Sequence, residues 1–157
     1  MLKLLLLIFL ANSAPVLAAD LLGRRWEQPI DAGLRLRDGR PLLGRSKTWR
    51  GLVAALVATT AAAPLLGLHW STGLTAGALS MSGDLIASFC KRRLGYAPSD
   101  RAPLLDSIPE SLLPALGLRA AFALEWLEAA AVVAVFAIVV RLVSPLLYRL
   151  HIRRRPW

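Results

Sequence analysis

Residues 83–95 read GDLIASFCKRRLG. An apolar run carrying one acid, Asp84, ends in three cations, Lys91, Arg92 and Arg93. An ionisable group inside a membrane-length segment costs roughly 2.5–3.5 kcal/mol to insert, so it marks a candidate functional position. At helical spacing, Asp84, Ser88 and Lys91 fall at i, i+4 and i+7, on one face of one helix. A carboxylate, a hydroxyl and an ammonium on one face can hold a metal ion and phosphate oxygens. That pattern points to phosphate chemistry at a membrane surface.

The stretch belongs to a chain of 157 residues that is 56% hydrophobic, with a mean hydropathy of +0.54. Soluble domains are usually about 45–50% apolar. The net charge is +9. Its cations lie between apolar runs, which suits loops facing anionic lipid headgroups better than a nucleic-acid surface. A single cysteine, Cys90, excludes an intrachain disulfide. His69 and His151 are far apart, and no Cys/His set has zinc spacing.

A spanning helix needs about 20 mostly apolar residues. Five stretches qualify: Leu4–Leu22, Gly51–Leu68, Thr72–Phe89, Leu104–Leu124 and Ala129–Tyr148. The expected architecture is therefore all-α, a single transmembrane domain over 1–157 with five helices. Loop 20–50 carries eight cations, loop 90–103 four and the basic tail 149–157 four, out of 19 in the chain. Five spans put all three regions on one side, which the positive-inside rule makes cytoplasmic. The N-terminus is then outside and the C-terminus inside. Lys3, the apolar run and the small residues of 14–19 also resemble a secretory signal peptide. The charge bias opposes cleavage there, because it would strand the Arg-rich loop outside.

The five tryptophans, Trp26, Trp49, Trp70, Trp126 and Trp157, fall near span ends or in loops, as interfacial indoles do. Small residues such as Ala55, Gly73 and Gly77 fill the second and third spans and permit close helix contact in lipid.

Loop 20–50 offers a second cationic element. Asp38-Gly39 is a turn signal, and Lys47, Thr48 and Arg50 lead into the span that begins at Gly51. Backbone N–H groups and cations at a helix start attract anions, although a full phosphate-binding loop is absent because Gly44 is three residues before Lys47. A solvated loop beside anionic lipid is the competing reading. Asp106, at the mouth of the fourth span, faces the same boundary as Asp84. Two carboxylates beside phosphates suit magnesium, while Asp106 alone suits a helix N-cap. Glu110 reads as first-turn dipole compensation. Asn12, in ANSAP at 11–15, needs a partner if buried, either on another helix or in a polar cleft.

In order along the chain, ANSAP at 11–15, SKTWRGL at 46–52, GDLIASFCKRRLG at 83–95 and LLDSIPESLL at 104–113 resemble the CDP-archaeol synthase family. These are integral-membrane, CTP-dependent cytidylyltransferases related to phosphatidate cytidylyltransferases. The resemblance implies a five-helix membrane fold with the nucleotide site on the cytoplasmic side. It implies a reaction joining CTP to a lipid phosphate, with a CDP-lipid and pyrophosphate as products. By motif, Asp84 and Asp106 become metal ligands for Mg²⁺ and, with Lys91, catalytic residues. Ser88, Arg92 and Arg93 grip phosphates, assisted by Lys47, Thr48 and Arg50. The related enzymes carry a second Asp three residues after the first; here that position is Pro109, with Glu110 one residue later.

The expected partners are CTP, a lipid phosphate and membrane lipid, with no nucleic acid. The short, Arg- and Ala-rich chain suggests a bacterial member in the inner membrane. A non-catalytic lipid-binding or scaffolding protein on the same fold is the alternative. A small transporter fits less well, because the polar residues gather toward one side of the bilayer.

Overall fold

The computed structural model describes residues 1–23, 25–97, 100 and 102–149, without side chains at 103 and 144–149. Arg24, Arg101, His151 and most of the basic tail, Trp157 included, lie outside the described residues. Five helices follow in order: α1 Leu2–Leu22, α2 Trp49–Leu65, α3 Trp70–Arg93, α4 Pro103–Gly117 and α5 Trp126–Arg149. No strand forms among the described residues. Among the described residues, two helices are both long and apolar enough to cross a membrane, Leu2–Leu22 and the Trp126–Val143 part of α5. α2 is apolar but has 17 residues, about 26 Å at the helical rise.

α3 is the centre of the bundle. It packs against α1, α2 and α4, and α5 closes the far side on α4 and touches α1. One apolar core joins Leu4, Leu7 and Ile8 of α1 to Val132 and Phe136 of α5, with the Phe9 and Phe136 rings 5.1 Å apart. Small residues set the α2–α3 approach. A methyl on Gly73 would strike the Thr59 carbonyl, and one on Gly77 would strike the Thr59 hydroxyl. Leu17, Leu21, Val57, Leu127 and Ile138 present exposed apolar surface outward.

The fourth helix is shorter than its apolar run. It stops at Gly117, and 118–125 form a compact turn. Arg119 explains the stop: its guanidinium donates to the Leu124 carbonyl at 3.1 Å and lies 4.3 Å from the centre of the Trp126 ring. A cation held over an indole face and a captured carbonyl favour the turn over another helical turn.

Residues 25–48 fold into an ordered lobe at the end of the bundle where α1 and α3 finish and α2 and α4 begin. Ile30 N–H donates to Lys47 O at 2.8 Å and Leu36 N–H to Arg40 O at 3.0 Å. The Asp38-Gly39 turn forms as the sequence signals, with Gly39 at φ 74°. Asp31 organises the lobe. Its carboxylate accepts from the backbone N–H groups of Gly33, Leu43 and Gly44 at 2.9–3.0 Å. Burial opposes its ionisation, but those donors more than compensate and hold its pKa below the ordinary carboxylate value.

Candidate active site

The lobe is fastened to the end of α3. Arg40 donates to the carbonyl of Arg93 at 2.7 Å. Arg93 returns the contact, pairing with Asp38 at 2.5 Å and donating to the Pro41 carbonyl at 2.6 Å. The Arg40 N–H and the Arg93 guanidinium hold the Asp38 pKa below the ordinary value. This docking delivers the next residues of the lobe to the helices.

Lys47 is the residue delivered. Its ammonium contacts both carboxylate oxygens of Asp84, at 2.7 and 2.6 Å, with each side chain about a fifth exposed. Packing pulls the Lys47 ammonium down, but the charge and hydrogen bonds of Asp84 reverse this and leave its pKa raised. One turn along α3, Ser88 is buried. A further turn along, Lys91 pairs with Asp106 of α4 at 2.5 Å. The face that spacing assigns to Asp84, Ser88 and Lys91 therefore runs beside two acid–lysine pairs.

Asp106 does not cap α4. The N-cap is Ala102, and Asp106 reaches back from the first turn to accept from the Ala102 N–H at 3.3 Å. Thr48 does cap α2, accepting from the Gly51 N–H at 3.2 Å. Arg50 donates to the carbonyls of Gly23 and Arg25 at 2.7 and 2.8 Å, so it staples the exit of α1 to the start of α2. Arg92 donates to the Tyr96 carbonyl at 2.5 Å. The Nε atoms of Arg50, Arg92 and Arg93 are buried with no hydrogen-bond partner among the described residues.

A cavity of about 250 Å³ opens beside the Lys47–Asp84 pair. Its lining mixes polar residues, among them Arg45, Lys47, Thr48, Arg50 and Asp84, with apolar ones, among them Ile30, Leu52 and Met81. A lining of both kinds suits a molecule that is anionic in one part and hydrocarbon in another.

Asp84 and Asp106 carry the hard oxygen donors that magnesium takes. Among the described residues no three acidic, histidine or cysteine side chains form a cation cage. A magnesium ion on one or two carboxylates ordinarily completes its shell with water and substrate phosphates; here Asp84 and Asp106 are each paired with a lysine.

Glu110, read from the sequence as first-turn dipole compensation, stands differently in the structure. It lies in the second turn of α4, not the first, and is 3% exposed. Asn12 donates to its two carboxylate oxygens at 2.8 and 2.9 Å, which gives the half-buried Asn a partner on another helix. The available signal was spacing: Glu110 is four residues after Asp106, on the same helical face.

The chain matches the family model described as CarS-like, CDP-archaeol synthase, over residues 1–72 and 66–157. A CDP-archaeol synthase from Aeropyrum pernix is 38% identical over 98% of this chain and 89% of its own length. One from Pyrobaculum arsenaticum is 34% identical over 95% and 92%. A solved structure, described as an intramembrane enzyme for archaeal membrane lipids biosynthesis, superposes with a TM-score of 0.72. It is 32% identical, over 90% of each chain. The bacterial origin suggested by composition gains no support, since these two sequence relatives are archaeal. An ordered set of motifs, an all-helical bundle and similarity along nearly the whole length converge: the chain belongs to the CDP-archaeol synthase family of membrane enzymes, CTP-dependent cytidylyltransferases.

Proposed function

We propose that this protein transfers the cytidylyl group of CTP to an isoprenoid diether glycerol phosphate, the lipid implied by the names of its relatives. The observation that carries the reading is the Lys47–Asp84 pair lining a cavity that apolar side chains also line. A phosphate oxygen of the lipid attacks the α-phosphorus of CTP. A new P–O bond forms, the bond from the α-phosphorus to the bridging oxygen breaks, and pyrophosphate leaves with the electron pair. The attacking oxygen is already anionic at neutral pH, so the step needs no strong general base.

The protein's work is then positioning and charge balance. Lys47 and Lys91 act as point charges and Arg92 as a fork for phosphate oxygens, while Arg93, engaged by Asp38 and Pro41, holds the lobe that carries Lys47. Bound Mg²⁺ would neutralise phosphate charge and polarise a phosphoryl oxygen. Asp84 and Asp106 are the residues that would hold it. Thr48 and Arg50 support the site from the start of α2, and Ser88 from the buried face of α3. The membrane arrangement we propose has five spans, with the lobe 25–48 and the end of α3 on the cytoplasmic side, in keeping with the clustering of cations.

The test is incubation of purified protein with Mg²⁺, labelled CTP and one of three lipids: a diether glycerol phosphate, phosphatidic acid or a polyprenyl phosphate. Lipid-dependent pyrophosphate release with a labelled CDP-diether is the expected result. Preference for either other lipid would overturn the substrate, and no product with any of them would overturn the activity.

A further inference from the structure

The lobe that delivers Lys47 also carries cations that the site does not use. Among the described residues, ion pairs join Lys47, Lys91 and Arg93 to acids, and Arg35 and Arg37 have no carboxylate partner. Both arginines are exposed. They alternate with Leu34 and Leu36, which are 55% and 37% exposed.

Backbone hydrogen bonds close this segment into a tight turn. Leu36 N–H donates to Arg40 O at 3.0 Å, and Leu42 N–H donates to Leu34 O at 2.8 Å. Successive side chains of an extended segment point to opposite sides, so Leu34 and Leu36 share one side and Arg35 takes the other. The turn is fixed to the end of α3. Arg40 donates to the Arg93 carbonyl at 2.7 Å, and Arg93 donates to the Pro41 carbonyl at 2.6 Å. It therefore lies at the level where a membrane-length helix leaves the bundle.

Two indoles mark the same level. Trp49 opens α2 and is 51% exposed. Its N–H donates to the Gln28 carbonyl at 3.1 Å, which keeps Trp26 at this end of the molecule. Trp26 has a φ of 56°, a conformation that bulky residues avoid, and it is 78% exposed. Exposed indoles at a helix end belong in the headgroup layer.

We propose that the turn at 34–37 is a docking surface for the anionic headgroups of the bilayer, with Arg35 and Arg37 on lipid phosphates and Leu34 and Leu36 at the acyl boundary. Cations and apolar side chains in one exposed segment bind anionic membranes through both components. Charge favours this occupant over a second copy of the chain, since the net charge of +9 makes two copies repel. Arg45 of the same lobe lines the cavity, so the docked lobe holds anionic lipid near the site. If the substrate is a lipid phosphate, the surface also concentrates it; that consequence rests on the proposed reaction, and the docking itself does not.

The test uses the whole chain in nanodiscs, with Cys90→Ser as background and a nitrobenzoxadiazole label on Leu36→Cys. The bilayers are phosphatidylcholine alone or phosphatidylcholine mixed with phosphatidylglycerol. Doxyl lipid quenches a label in contact with the membrane, and acrylamide quenches one in water. Doxyl quenching should be at least about twofold greater in the anionic bilayer, and high salt should remove the difference. Arg35→Gln with Arg37→Gln should abolish it, while Arg35→Lys with Arg37→Lys should keep most of it. If the Gln pair disturbs the lobe, the salt series tests the same point on the unaltered arginines.

Equal doxyl quenching in the two bilayers overturns the proposal, as does a label open to acrylamide in both. Protection from acrylamide that grows with protein concentration in lipid-free detergent also overturns it, and assigns the surface to a second copy. None of these readouts needs turnover, so a failed lipid assay would count against the proposed reaction and leave the docking result standing. With both in place, the Gln pair should raise KM for the lipid phosphate and leave kcat unchanged.

Discussion

Lys47, the last cation of an ordered lobe, contacts both carboxylate oxygens of Asp84 on α3, at 2.7 and 2.6 Å. Asp84→Asn keeps the shape but removes the charge that Lys47 answers and the oxygen proposed for the metal. Turnover is expected to fall below a tenth of wild type, with helicity and membrane insertion retained. Steady-state CDP-lipid formation beside circular dichroism checks this, and a variant keeping more than a tenth of the rate would sink the assignment.

Lys91 is the more enclosed half of the second pair, with 9% of its side chain exposed against 37% for Asp106. Asp106→Asn leaves a buried ammonium short of its partner, at a cost of about 1–3 kcal/mol. Lys91→Met with Asp106→Asn should recover part of that stability but none of the activity. Detergent thermal melts and the cytidylyl assay on the single and double variants separate the two effects.

At the α2–α3 crossing, Gly77→Ala drives a methyl into the Thr59 hydroxyl, which already donates to the Ala55 carbonyl at 2.9 Å. Overpacking of this kind typically costs about 1–3 kcal/mol. Adding Thr59→Ala should restore most of the melting temperature, because it removes the atom that clashes. A double variant no more stable than Gly77→Ala alone would place the strain elsewhere.

Asp31 makes the lobe sensitive to acid. Its native pKa is depressed by backbone donors. Its contribution is therefore fully present above the ordinary carboxylate range and is lost as the pH falls through the depressed native value. Asp31→Asn should flatten the acid limb of a stability–pH curve and speed proteolysis within 25–48 at neutral pH. An acid limb identical to wild type would remove Asp31 from this role.

The helices were legible because apolar runs of membrane length leave the backbone few other ways to satisfy its hydrogen bonds. The end of α4 was not, since what stops it is Arg119 folding onto Leu124 and Trp126, a contact that hydropathy does not register. Spacing alone placed Asp84, Ser88 and Lys91 on one face. It did not show that Arg93 and Arg50 fasten the lobe and the helix ends. Glu110 was misjudged for the same reason. Near a helix start a glutamate resembles a dipole partner, and only the fold brings Asn12 to it.

Where α3 meets α4, the missing side chain of Gly83 puts backbone against backbone. The spacing between Asp84 on one helix and Glu110 on the other is thus gauged by main-chain atoms, with no rotamer in between. Side chains nearby can be exchanged over evolutionary time, and the lipid around the bundle can change in thickness or fluidity, without resetting that distance. Position 83 itself lacks this freedom: any residue larger than glycine would wedge the two helices apart and detune the acids together.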